Sequence, residues 1–265
     1  MSAKVLPAQI TSYDLLKSFA LLTMIIDHIG MVFFPDDLWW RAVGRMSFPV
    51  WIFLVGYARS RDVPTVFWLG AGILTLTDFI TGDAVLALDI LVTIGLTRLV
   101  IDKVMVYLAP ESPQFWMVFG VLTALVLPSF VLFDYGTLAF LIAGFGYMVR
   151  HWPKDGAAVQ KLQERYMVGV ILVYAGIEAV SFGFSTAQFL FVSAGVTAVF
   201  LLLLSPFKPK IHEGLDDRLG PVLSGMLRLF GRHSLVIYVL HLMAFKFTAM
   251  ALGLHEYGLW NWRWL

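Results

Sequence analysis

The sequence predicts an all-α fold, a polytopic integral-membrane bundle of about nine transmembrane helices, with a range of eight to ten. Three observations carry this. The 265 residues are 59% hydrophobic and 14% charged, with a mean hydropathy of +0.81, whereas a soluble domain is about half apolar and a quarter charged. Apolar runs close to the ~18–20 residues that cross a bilayer recur along the chain. Basic residues gather in alternate connections, as the positive-inside rule expects.

The runs place spans near residues 14–34, 46–58, 64–80, 84–101, 115–133, 136–150, 166–183, 187–204 and 234–252. The second and sixth are short for a full crossing. Pro64, Pro113, Pro153, Pro206 and Pro209 fall in connections, and Pro49 and Pro128 fall inside or near the ends of spans, where kinks are tolerated. The connection of about 205–233 reads as the longest loop, and it is basic. No internal repeat and no appended soluble unit is visible, so residues 1–265 read as one domain. The first residues lack a cleavable signal pattern, and the first helix is expected to act as the insertion signal.

Orientation follows from Arg59 and Arg61, Arg98 and Lys103, Arg150, Lys154, Lys161 and Arg165, and Lys208, Lys210, Arg218, Arg228 and Arg232, which occupy alternate connections. They put the N-terminus in the cytoplasm. Arg41 and Arg45 break the pattern, which implies work for them beyond topology. The aromatic clusters at Trp39-Trp40 and at 258–264 read as interfacial belts.

The first span holds the strongest signal of chemistry. Within Asp14-Leu-Leu-Lys17 through Asp27-His28-Ile-Gly30, ionisable groups sit where each costs roughly 2.5–3.5 kcal/mol to insert. Lys17 and His28 share a helix face about 16 Å apart along the axis. Imidazole titrates near neutrality and suits general-base work. Asp27 either orients that ring or serves another helix, because adjacent helical residues diverge by about 100°. Lys17 either snorkels or binds an anion.

In the last span, Ser234, Tyr238 and His241 follow i, i+4, i+7 spacing and share a face, so they read as one wall of a cavity. Ser234 also suits a helix cap, and Lys246 is expected to snorkel. Arg45 opens the second span, and Arg59 and Arg61 close it, the latter two suited to phosphates. Asp89 is the acid to test within the fourth span, while Asp134 and Glu178 read as span-end or helix-pairing groups.

Other chemistries are excluded or lack support. There are no cysteines, hence no disulfides, thiolate nucleophiles or cysteine-ligated metals. No HExxH spacing, Gly-rich phosphate loop or GxSxG elbow is present, so no metal site is expected. A net charge of +1 offers nothing to nucleic acid.

Together, Asp27-His28-Ile-Gly30, Gly44-Arg45 and Phe48-Pro49 resemble the TraX-type pilin N-acetylase family. Phe53-Leu-Val-Gly56, Asp89 to Gly95 and Ser234 to His241 resemble the wider transmembrane acyltransferase superfamily, which includes heparan glucosaminide N-acetyltransferases and acyltransferase-3 O-acetylases. That superfamily's first-helix signature, a basic or polar residue, ten residues and then a functional histidine, is matched by Lys17 and His28. The resemblance covers both ends of the chain well and about 100–225 poorly.

It implies an enzyme of the bacterial cytoplasmic (inner) membrane that moves an acetyl or other acyl group from cytoplasmic acyl-CoA to an amine or hydroxyl. The acceptor would be a protein N-terminus, a glycan or a small molecule. His28 would act as general base or transient acyl carrier, with Asp27, Tyr238, His241 and Ser234 around the reaction. Lys17, Arg59, Arg61 and Arg45 would hold the acyl-CoA, and Tyr238, Ser234 or Arg45 would supply oxyanion donors. The competing expectation is a proton-coupled transporter that relays through Asp27, His28, Asp89 and His241. A non-catalytic membrane scaffold is the third. The oligomeric state and acyl chain length are open at this point.

Overall fold

The structure, a computed structural model, describes residues 7–84, 88–153, 156–254 and 257–261. Lys154 and the Trp262-Arg263-Trp264 end of the aromatic cluster lie outside them. Among the described residues the fold is all-helical, with two isolated bridge pairings, Thr11 with Ile211 and Leu88 with Phe133.

Helix α1 (Ser12–Phe33) begins at a capping box. The Thr11 hydroxyl accepts from the Asp14 amide, and the Asp14 carboxylate accepts from the Thr11 amide, which satisfies two donors that a helix start leaves open. A short α2 (Leu38–Gly44), capped by Asp37, folds back against α1 and leads into α3 (Ser47–Tyr57). Then follow α4 (Thr65–Thr81), α5 (Ile90–Tyr107), α6 (Phe115–Ala124), α7 (Val126–Ser129) and α8 (Leu138–His151). The expected span at 115–133 is broken into α6 and α7 ahead of Pro128, whose ring removes a donor and crowds the preceding turn. Next come α9 (Ala157–Phe182) and α10 (Thr186–Ala198), the latter continued by a π-helical segment over Val199–Leu204. The chain ends in α11 (Leu215–Arg232) and α12 (Ser234–Ala251).

Four helices are long and apolar enough to cross a membrane among the described residues: Ser12–Phe33, Ala157–Phe182, Thr186–Leu204 and Ser234–Ala251. They mark a membrane protein. Thr65–Thr81, Phe115–Ala124 and Leu138–His151 are apolar but shorter. The eleven residues of α3 rise only about 16 Å, roughly half a hydrocarbon core.

Two features depart from the sequence reading. Asp89 lies not inside a span but at the N-cap of α5, its carboxylate accepting from the Leu91 amide at 2.8 Å. The stretch 205–233 is not a loop throughout, because it contains α11. This helix packs along the start of α1, where the Ser18 hydroxyl donates to the Leu227 carbonyl at 3.0 Å and Arg232 pairs with Asp14 at 3.4 Å. Its other side leaves Val222, Met226 and Leu229 exposed. A hydropathy window overlooks such a helix because its polar and apolar faces average out.

The core lies where α3 and α8 meet. A Cβ on Gly56 would stand 1.8 Å from the Ala143 carbonyl oxygen, and one on Gly146 would stand 2.2 Å from that of Phe53. The two glycines therefore let the helices approach backbone to backbone. Around α1, helices α2, α3, α11 and α12 form a collar, and this collar positions the candidate site.

Candidate functional site

Midway along the collar, α1 and α12 bring two imidazoles together. His28 Nδ1 lies 2.7 Å from His241 Nε2, and His241 Nδ1 lies 2.7 Å from the Ile237 carbonyl oxygen. The carbonyl only accepts, so His241 Nδ1 carries the hydrogen and its Nε2 is a bare acceptor. His28 Nδ1 must then donate to it. This assigns the tautomer of His28 and leaves its Nε2 with a lone pair. The rings are nearly parallel, 20° apart with centroids at 5.0 Å.

His28 lines a cavity of about 280 Å³. Its walls come from α1 (Met24, Asp27, Met31), α2 and α3 (Arg41, Arg45, Phe48, Trp51), the turn before α8 (Asp134, Tyr135), α9 (Glu178, Phe182) and Tyr238 of α12. A smaller apolar chamber of about 70 Å³, lined by Phe67, Leu91, Ile94, Ser234 and Leu235, shares Met24, Trp51, Ile90 and Tyr238 with it. The indole Nε1 of Trp51 is buried and has no hydrogen-bond partner among the described residues. Buried donors are rarely left unmet, and the cost is about 1–3 kcal/mol.

Asp27 does not touch the ring beside it in sequence. Its carboxylate turns to α2 and α3, accepting from Arg41 Nη1 at 2.8 Å and Arg45 Nη2 at 2.5 Å. Arg45 Nη1 reaches Glu178 at 3.1 Å and the Tyr135 hydroxyl at 2.9 Å. Both guanidiniums lie against the Phe182 ring, at 5.0 and 4.6 Å. Two cations thus balance two carboxylates in a place where unpaired charge would be costly. The breach of the positive-inside pattern has this physical cause: Arg41 and Arg45 neutralise buried acids. The sequence reading missed Glu178 and Tyr135 as their partners.

Tyr238 donates to Asp89 Oδ2 at 2.9 Å. The N-cap of α12 is His233 and not Ser234, and Ser234 lines the apolar chamber with Tyr238. Of the face expected from i, i+4, i+7 spacing, two members line a chamber and the third, His241, stands behind His28. Lys246 does not snorkel. It is buried and pairs with Asp78, and with Asp83 at 3.0 Å.

The basic candidates collect at the end of the bundle that holds the start of α1. Lys17 is half-buried, without a hydrogen-bond or ion-pair partner among the described residues, and the charges acting on it are Asp14 and Arg98. Arg98 donates to the Ser60 carbonyl at 3.1 Å, and its Nε is unmet among the described residues. Arg59 is exposed. Arg61 is engaged with Asp102 at 2.9 Å and with the carbonyls of Val55 and Ala58 at 3.2 and 2.9 Å, so it caps the end of α3. None of these four lines the cavity. Arg45 lies apart from them, in the cavity wall.

The turn before α8 contributes what sequence reasoning had set aside. Tyr135 has φ 61° and Gly136 has φ 44°. A tyrosine in this left-handed region costs about 1 kcal/mol or more. The turn is held by hydrogen bonds from the Asp134 amide to the Leu88 carbonyl (3.1 Å) and from the Thr93 hydroxyl to the Asp134 carbonyl (2.9 Å). Tyr135 stacks on Phe48 with centroids 3.6 Å apart. No local sequence signal marks this turn as part of the site, since the contacts that tie it to the cavity, with Leu88, Thr93, Arg45 and Phe48, come from distant parts of the chain.

Among the described residues no group of His, Asp and Glu side chains has the arrangement of a metal site. No solved structure matches the chain. Uncharacterized protein RP591 of Rickettsia prowazekii (strain Madrid E) is 31% identical over 142 residues, covering 53% of this chain. That match spans 57% of the relative's own length. The family model described as TraX protein matches residues 12–209; this stretch contains His28, the arginine cluster and the Asp134 turn, and the chain belongs to the TraX family.

Proposed function

We propose that the chain is an acyltransferase of the bacterial inner membrane, with about nine membrane passes and its N-terminus in the cytoplasm. It transfers an acetyl or other acyl group from cytoplasmic acyl-CoA to an amine or hydroxyl acceptor. The observation that carries this is the relay from the Ile237 carbonyl through His241 to His28, which leaves an unprotonated nitrogen on an imidazole that lines a cavity. That is the arrangement a general base needs, with its tautomer fixed by the group behind it.

Acyl-CoA would supply an activated thioester carbonyl. The residues present fit such a donor. Lys17, unpaired among the described residues, and the exposed Arg59 offer cationic groups to phosphates, and the apolar chamber shares Trp51 with the cavity. In this reading His28 Nε2 takes the proton of the acceptor as the acceptor's lone pair bonds to the thioester carbon. The carbon–sulfur bond breaks, and His28 returns that proton to the departing thiolate. The same nitrogen is the atom that would carry the acyl group in a two-step route. The unmet Trp51 N–H, on a ring that lines both chambers, is the donor we assign to a carbonyl oxygen that gains charge, whereas the Tyr238 hydroxyl is already given to Asp89. Asp27 acts at a distance, by holding Arg41 and Arg45 in the cavity wall.

The reading is tested in proteoliposomes by supplying acetyl-CoA on one side and measuring free CoA thiol. Thiol release that depends on a primary amine or alcohol acceptor is the expected result. Solute flux without thioester consumption would replace this reading with the transporter.

A further inference from the structure

Asp134 stands out among the charges of the cavity and its far end. Arg41 and Arg45 are matched by Asp27 and Glu178, and Lys246 is already shared by Asp78 and Asp83. Asp89 is engaged by the Leu91 amide and the Tyr238 hydroxyl. Asp134 lines the cavity that His28 lines, yet its carboxylate has no hydrogen-bond or ion-pair partner among the described residues. Its backbone is fixed on both sides, by Leu88 and Thr93, so the side chain is presented from a rigid turn. A carboxyl left without a partner at a cavity favours a cation that donates hydrogen bonds to it.

We propose that Asp134 is the acceptor-binding residue of this cavity and that it selects a primary amine, held as its ammonium. The proposal rests on the acyl-transfer reading for the fate of that amine. The ammonium gives one proton to the Asp134 carboxylate and, as its nitrogen bonds to the thioester carbon, a second to His28 Nε2. The carbon–sulfur bond breaks, the thiolate takes the proton held by His28, and the products are an amide, CoA thiol and protonated Asp134, which releases its proton to solvent. A hydroxyl acceptor carries no charge for Asp134 to hold, so the residue sets specificity between the two.

The test uses the full chain purified in detergent, with n-butylammonium as probe and n-butanol as its neutral counterpart. Binding is read from ligand-dependent shifts in thermal midpoint. Wild type should bind butylammonium at least tenfold more tightly than Asp134→Asn, Asp134→Glu should recover most of that difference, and butanol should not distinguish the three. Equal butylammonium binding by wild type and Asp134→Asn overturns the proposal, as does an Asp134→Glu variant that binds no better than Asn. Thioester turnover on the same preparations separates the two readings. With butylammonium binding intact and dependent on Asp134, absence of turnover in the wild type overturns acyl transfer and leaves the amine site standing.

Discussion

Replacing His241 with alanine removes the acceptor that fixes His28. His28 Nδ1 donates across 2.7 Å to His241 Nε2. Between neutral rings that bond is worth about 0.5–1.5 kcal/mol, and about 1.5–3 kcal/mol once His28 carries a second proton. The difference, about 1–2 kcal/mol, is stabilisation that grows as the base takes its proton. Freeing the tautomer adds about 1 kcal/mol, because the hydrogen is then no longer confined to Nδ1. The sum, about 2–3 kcal/mol, corresponds to a fall in kcat of about 30- to 150-fold. His241→Gln keeps an oxygen acceptor near the position of Nε2 and should stay within about tenfold of wild type. The assay is steady-state release of CoA thiol at saturating acetyl-CoA, together with ¹⁵N spectra of labelled histidine that report the His28 tautomer. His28→Ala with His241→Ala should be no slower than His28→Ala alone, since both act through one nitrogen. A His241→Ala enzyme within twofold of wild type, with the tautomer unchanged, would refute the relay.

Arg45→Met should destabilise the protein by about 3–5 kcal/mol, since Glu178 then keeps no cation and Asp27 keeps only Arg41; the double variant Arg45→Met, Glu178→Met should recover much of this, as read from thermal midpoints in detergent. Gly56→Ala should cost about 1–3 kcal/mol or more by forcing α3 from α8, visible as a lower midpoint and poorer accumulation in membranes. Trp51→Phe should lower kcat at least tenfold while leaving the midpoint within a few degrees, because the lost ring area is offset by removal of an unmet N–H. A fall in midpoint that accounts for the lost activity would instead make Trp51 a packing residue.

The parts of the site legible in the sequence share one property, local helical periodicity. Lys17 and His28 on one face of α1, and Ser234, Tyr238 and His241 on one face of α12, follow from helical geometry alone, and the structure brings His28 and His241 into contact. The misfit of Arg41 and Arg45 with the positive-inside pattern was also visible, though not its cause. Their partners Asp27, Tyr135 and Glu178 stand up to 133 positions away, and no periodic rule links them. For Asp27 the sequence left two roles open, and the second holds: its side chain leaves the His28 face by about 100° and meets Arg41 and Arg45. Lys246 was read as snorkelling because a lone lysine near a span end usually does so. Its pairing with Asp78 and Asp83 depends on how α4 meets α12. Helix α11 was hidden by averaging, since its exposed Val222, Met226 and Leu229 alternate with charges that lower any window. The Asp134 turn was hidden because its conformation depends on Leu88 and Thr93, both more than forty positions away, as well as on nearby Ser129.

The central claim is that His28 Nε2 moves the proton that makes acyl transfer possible. It is tested most directly by comparing wild type and His28→Ala for acetyl-CoA consumption at saturating amine, with equal thermal midpoints established first. The account predicts a loss of at least a thousandfold in the variant, with both proteins folded alike. Equal turnover by the two would contradict it.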